Sequence, residues 1–238
     1  MDKNTLIDKL FDVGAHFGYA PSRRHPSVSA YIFGTKGNTE LIDLDQTSER
    51  LMAALEFVTS LAVQRKVVLF VGSKPEARDA LTRAADRLGQ PYVASRWIGG
   101  TLSNFSEIKK RVARLTELST MREKGELAKF TKHERLLIDR EITDLVAMFG
   151  GLRGMNKTPD ALVVVDPRHE AIAVKEATLL KIPVIAILNT DCSTAGIAYP
   201  IPANDASVQS VSFILGEIAT TFEQHLGVLA PETEGVQN

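Results

Sequence analysis

The stretch Val67-Val68-Leu69-Phe70-Val71-Gly72-Ser73-Lys74-Pro75 decides the fold. Five apolar residues in a row, three of them β-branched, read as a short strand buried on both faces, which is the signature of a parallel sheet. Gly72 ends the run, and Pro75 stands where a helix prefers proline, at its first position. The helix that follows runs through Leu88 to a stop at Gly89, and Pro91 to Ala94 then read as a second short strand. Upstream, Gln46 to Gln64 place Leu51, Leu55, Val58 and Leu61/Ala62 at helical spacing, with Asp45 or Thr47 as the expected cap. The sequence around residue 70 therefore spells helix, strand, helix, strand.

The same grammar returns further on. Ala161 to Asp166 form a strand, about Arg168 to Leu180 a helix, Ile182 to Leu188 another strand and Ala198 to Pro202 a fifth. A final helix, capped by Asn204 or Asp205, carries Val208, Val211, Leu215, Ile218 and Phe222 as its inward stripe. Five strands alternating with helices predict an open, doubly wound parallel α/β sheet over 46–103 and 150–227. Residues 104–149 break the alternation. Phe105, Ile108, Val112 and Leu115 mark one helical seam, and Ile138, Ile142, Leu145 and Phe149 another, with the polar segment Arg122 to Thr131 between them. This predicts an inserted antiparallel helical hairpin whose arms reach about 27 Å at 1.5 Å per residue. Residues 1–45 have a third texture: a helix over Thr5 to Gly14, a Gly/Pro/Ser/Arg-rich stretch, and a small β-hairpin from Tyr31–Phe33 to Thr39–Asp43 turning at Gly37-Asn38. Residues 228–238 read as a flexible polar tail.

Composition narrows the function classes without choosing one. The 238 residues are 44% hydrophobic and 24% charged, values of an ordinary globular protein. The single cysteine, Cys192, rules out an internal disulfide and a paired-thiolate zinc site, which fits a reducing, cytoplasmic setting. No apolar run approaches the ~18 residues of a membrane span. The net charge of −1 hides an asymmetry: residues 96–157 hold 13 Lys+Arg against 8 Asp+Glu, whereas residues 158–238 hold 3 against 10. A basic middle segment suits a polyanionic partner.

Catalytic constellations are sparse. Gly72-Ser73-Lys74-Pro75 offers amides and a lysine to a phosphate, but the full Gly-x-Gly-x-x-Gly spacing and a Walker-type Gly-Lys-Ser/Thr are both missing. Asp166-Pro167-Arg168-His169-Glu170 gathers two acids and an imidazole, and is read as a capped helix start in preference to an acid/base pair. Asp191-Cys192-Ser193-Thr194 is read as a turn. The histidines at 16, 25, 133, 169 and 225 lack the i, i+4 pairing of zinc helices, so no metal and no cofactor is expected. The cations, by contrast, cluster on loops and along the hairpin, as phosphate neutralisation requires. Trp97 is large enough to stack on a base, but burial at the root of the hairpin suits its ring better.

Six motifs carry a resemblance: Gly14-Ala-His-Phe-Gly18, Tyr31-Ile-Phe-Gly34, Leu69-Phe-Val-Gly-Ser-Lys74, the run from Arg96 to Phe105 (RWIGGTLSNF), the run from Pro159 to Ala177, and Ile182 to Asp191. Together they resemble the bacterial ribosomal protein S-two family nearly end to end. The resemblance implies a flavodoxin-like or Rossmann-like five-stranded sheet with an inserted coiled-coil hairpin, and a structural constituent of the small ribosomal subunit in place of an enzyme. It implies a site between the head and body of the subunit, contact with small-subunit ribosomal RNA and neighbouring ribosomal proteins, and help in docking ribosomal protein S-one. By position, Arg23, Arg24, Lys36, Lys74, Arg96, Lys109, Lys110, Arg111 and Arg114 are the expected RNA contacts. The rival reading is a cytosolic α/β enzyme binding a phosphorylated metabolite near Gly72–Lys74.

This chain departs from the family's pattern in two places. Tyr19 stands where a histidine is usual, and His25-Pro26-Ser27 replace an aromatic-Asn-Pro-Lys stretch, removing a basic residue from the N-terminal strap. Asn189 to Thr194 replace an Asp-Thr-Asn-Asp-Pro-like turn, so no ligand of that loop is carried over.

Overall fold

A computed structural model describes residues 3–227, so the tail expected over 228–238 lies outside the described residues. In chain order the elements are α1 (Lys3–Asp12), β1 (Ile32–Lys36), β2 (Thr39–Ile42), α2 (Leu44–Val63), β3 (Val68–Val71), α3 (Pro75–Leu88), β4 (Tyr92–Val93), α4 (Phe105–Glu123), α5 (Lys132–Phe149), β5 (Ala161–Val165), α6 (Ala171–Leu179), β6 (Val184–Leu188), β7 (Tyr199–Pro202) and α7 (Val208–His225). The main sheet has the order β4-β3-β5-β6-β7, and every pairing in it is parallel. Every residue of β3, β5 and β6 is buried, which is why these strands read as continuous apolar runs.

The two faces of the sheet bury different partners. Val68, Phe70, Val163, Ile185 and Ile201 pack with Leu51, Val58, Leu81, Val211, Leu215 and Phe222 from α2, α3 and α7. Leu69, Val71, Leu162, Val164 and Ala186 face the other way, toward α6 and the hairpin residues Ile108, Leu115, Ile142 and Phe149. Because α3 lies on one face and α6 on the other, the adjacent strands β3 and β5 mark the reversal point of the sheet. The loops after their carboxyl ends form the crevice where such folds place ligands.

Helices α4 and α5 make the antiparallel hairpin, with Leu118 adding to its seam. Thr131 and Glu134 start α5 with a reciprocal capping box. After α5 the chain crosses edge strand β4 so closely that a Cβ on Gly151 would lie 2.3 Å from the carbonyl oxygen of Tyr92. The opposite edge is β7, where Ala203 donates to Leu188 O at 2.9 Å, so the alternation of the strand turns the nitrogens of Pro200 and Pro202 outward. Thr47 Oγ1 donates to the outward carbonyl of Pro202 at 2.6 Å.

The starts of α2, α7 and α6 differ from the sequence expectation for reasons visible in their side chains. The cap of α2 is Asp43, whose Oδ1 accepts from Asp45 N at 3.0 Å, so the helix begins before Gln46. The cap of α7 is Ser207, because Asp205 is buried and engaged elsewhere; Val208 is consequently exposed, and Ile214 joins the inward stripe. Helix α6 begins at Ala171, because Asp166 folds the preceding residues into a turn, accepting from the amides of Arg168 and His169 at 3.1 Å each. The small hairpin turns at Gly37, which sits at φ +63°, where glycine carries no steric penalty.

Candidate nucleic-acid interface

The nine cations singled out in the sequence divide by what their charge meets. Arg24, Lys74, Lys110 and Arg114 face carboxylates of the chain itself. Arg23, Lys36, Arg96, Lys109 and Arg111 are exposed and have no acidic partner among the described residues.

Lys74 is the clear correction. Its side chain is only 18% exposed, and Nζ lies 3.0 Å from Asp166 Oδ2 and 3.0 Å from Asp205 Oδ2. Tyr19 Oη is 3.3 Å from the same nitrogen, and Asn189 Nδ2 donates to Asp205 Oδ1 at 3.0 Å. Burial alone would lower the lysine pKa, but the two carboxylates outweigh it and push the group well above its ordinary value. Asp166 is also penalised by burial, yet Lys74 and the His169 amide hold it below the usual carboxylate range; Asp205 is pushed up by burial and by the charge of Asp166. The ammonium is thus an internal counter-ion, and Lys74 is withdrawn from the RNA-contact set. Asp166, Asp205 and Cys192 have donor atoms within 4.8 Å of one another, the donor types of a cation site. The cation they hold is Lys74, and burial and Asp166 push the Cys192 thiol up, keeping it neutral.

Arg24 Nη1 lies 3.3 Å from Glu40 Oε1, and the Glu40 side chain is fully buried with no hydrogen-bond donor on either oxygen. That arginine anchors the N-terminal strap to β2. On the hairpin, successive residues turn by about 100°, so Lys109, Lys110 and Arg111 cannot share one face. Lys110 pairs with Glu107 at 2.7 Å, and Arg114 reaches Glu117 at 3.0 Å and Glu141 of α5 at 3.2 Å. Lys109 lies over the Phe105 ring at 5.4 Å and Arg23 over Tyr19 at 5.0 Å, contacts that leave their positive charge uncancelled.

The root of the hairpin is held by a residue that the sequence reading passed over. Glu176 of α6 is 7% exposed and accepts from Trp97 Nε1 at 3.3 Å and from the amides of Gly100 at 2.7 Å, Leu102 at 2.9 Å and Ser103 at 3.0 Å. Burial raises a carboxylate's pKa, but these donors, Ser103 first, hold Glu176 below its ordinary value. The signal was present: an acid on the same helical face as Ala173 and Ala177 needs donors waiting for it. Trp97 is buried at this root, not displayed for stacking.

Fold and surface together define a class: a doubly wound α/β domain whose outlying hairpin and N-terminal strap carry uncancelled positive charge. The family profile described as Ribosomal protein S2 matches residues 10–225. Relatives named small ribosomal subunit protein uS2 share its sequence: that of Chloroflexus aurantiacus is 39% identical over 213 residues, covering 90% of each chain. That of Dictyoglomus thermophilum is 41% identical over 214 residues, covering 90% of this chain and 87% of the relative. The chain belongs to the ribosomal protein S2 family. It is accordingly a structural protein of the small ribosomal subunit, working on the ribosome in the cytoplasm, and not an enzyme, which removes the metabolite-converting alternative. No helix among the described residues is long and apolar enough to cross a membrane.

Proposed function

We propose that the chain binds small-subunit ribosomal RNA through Arg23, Lys36, Arg96, Lys109 and Arg111, the last two meeting separate phosphates from opposite flanks of α4, at the family's position between head and body. One observation carries this reading: these five cations are exposed and uncancelled, in a chain that pairs Arg24, Lys74, Lys110 and Arg114 internally. Side chains of this kind on loops and a projecting helix contact phosphate without reading bases. Burying uncancelled cations against phosphate releases counterions, so the affinity falls as salt rises.

Docking of ribosomal protein S-one belongs to the same reading. Its support is an aromatic strip on the N-terminal region that RNA does not require: Phe11 stacks on His16 at 4.6 Å, Phe17 follows at 4.1 Å, and Phe33 nearby is 79% exposed. Exposed aromatic surface of this extent suits a protein neighbour.

The test measures RNA affinity of the full chain against salt concentration, alongside co-sedimentation with small subunits. Lys109→Glu with Arg111→Glu lowers affinity and flattens the log–log slope by about 0.7 to 0.9 for each lost contact. A slope identical to that of the unaltered protein refutes the assignment of the hairpin.

A further inference from the structure

Beside the buried Lys74 cluster, on the other side of the Ser73 loop, lies an open cleft of about 470 Å³ lined by Ser73, Arg78, Arg96, Trp97, His169 and Ile172, with Glu170 at its floor. It occupies the crevice at the reversal point of the sheet, between the loops that follow β3 and β5, the position at which doubly wound sheets bind phosphorylated ligands. The size also suits a nucleotide-sized group.

The charges in this cleft are arranged differently from those around Lys74. Arg78 Nε donates to Ala94 O at 3.0 Å and its Nη2 to Ser73 O at 3.3 Å. Both acceptors are neutral carbonyls, so the guanidinium is fixed in orientation while its charge remains uncancelled, and Nη1 has no hydrogen-bond partner among the described residues. Arg96 is exposed opposite it and has no partner among the described residues. The one acid present, Glu170, is buried and already accepts from the Ser73 amide at 2.9 Å and from Ser73 Oγ. Two guanidiniums therefore face one carboxylate, whose Oε1 is engaged by Ser73, and the exposed His169 adds a further nitrogen at the rim.

We infer that this cleft is a phosphate site, in which Arg78 and Arg96 clasp one phosphate group and the exposed Ile172 lines the rim beside it. The phosphate can be a diester of the RNA backbone or the monoester of a free nucleotide. A guanidinium presents the same fork to either. The inference stands apart from the assignment of the hairpin, because no residue of α4 or α5 contributes to the cleft.

Trp97 is the only tryptophan of the chain and lines the cleft, so its fluorescence reports occupancy. The full chain is titrated in one arm with 5′-AMP, with adenosine as control, and in the other with small-subunit ribosomal RNA. A saturable change with AMP and none with adenosine identifies a monoester site; a saturable change with RNA that AMP does not reproduce identifies the diester. In either case Arg96→Glu weakens the response at least tenfold, and Arg78→Gln weakens it too. Lys132→Glu at the hairpin tip serves as a charge control and leaves the AMP response unchanged. Arg96 contacts no other described side chain by hydrogen bond or ion pair, so its variant retains the melting temperature of the parent and reports on binding. Silence in both arms, or an Arg96→Glu titration that overlays the parent, overturns the site.

Discussion

Trp97 Nε1 donates to Glu176 Oε1 across 3.3 Å, joining the turn that launches the hairpin to a helix 79 residues further along the chain. The same carboxylate gathers the amides of Gly100, Leu102 and Ser103, so a single buried side chain sets the angle at which α4 leaves the sheet domain. Glu176→Ala strands those donors out of water and is expected to cost about 3 kcal/mol or more, since hydrogen bonds to a charged group are worth roughly 1.5–3 kcal/mol each. Urea denaturation measures the loss, and hydrogen exchange locates it in residues 97–103.

The pH dependence of that tie has a defined sign. The pKa of Glu176 is lower in the folded chain than its ordinary 4.5. Its contribution is therefore complete above that value and is lost as the pH falls through the lower folded value. Urea midpoints measured from pH 7 downward should fall below about pH 4.5 more steeply for the parent than for Glu176→Gln, which is less stable at neutral pH but has nothing there to protonate.

Removing the internal counter-ion produces a different signature. Lys74→Met leaves Asp166 and Asp205 together in the interior, and breaking a buried pair in this way costs about 3–5 kcal/mol. Lys74→Met combined with Asp205→Asn regains part of that loss, because one of the two uncompensated carboxylates is gone. Thermal melts of the single and double variants give the comparison. The RNA affinity of whatever remains folded should match the parent.

Arg24 behaves as an anchor. Arg24→Ala leaves the fully buried Glu40 carboxylate without its one opposite charge and is expected to destabilise the chain by about 3 kcal/mol. Limited proteolysis should then cut within residues 18–30 faster than in the parent.

A steric prediction concerns the exit of the hairpin. A methyl at residue 151 would collide with the backbone of Tyr92, which cannot move aside as a flexible side chain does. Gly151→Ala is expected to cost about 1–3 kcal/mol, the range of overpacking in a tight site. It should also loosen the contact between the hairpin exit and β4, read as faster amide exchange at Tyr92 and Val93.

The sheet was legible because β3, β5 and β6 are buried on both faces, and such strands need no partner information to be recognised. The hairpin was legible for a similar reason, since the seams through Ile108 and Leu115 and through Ile142 and Leu145 repeat at helical spacing. Caps were harder: Asp43, Asp45 and Thr47 all have capping side chains, and Thr47 is drawn instead to the carbonyl of Pro202 in a strand 155 residues away. Charge was least legible. Nothing near Lys74 in the sequence announces Asp205, 131 positions distant, so a lysine in a phosphate-like loop reads as a surface cation when it is an interior one. Composition likewise cannot show that Arg78 is fixed by carbonyls while Arg114 is cancelled by acids.

The outer margin of β7 has a consequence for the life of this protein before assembly. With proline nitrogens at positions 200 and 202, and the outward carbonyl of Pro202 already taken by Thr47, that margin lacks the amide donors to template a sixth strand. A chain waiting for its place in a much larger particle is thereby kept from zipping to its own copies along this edge.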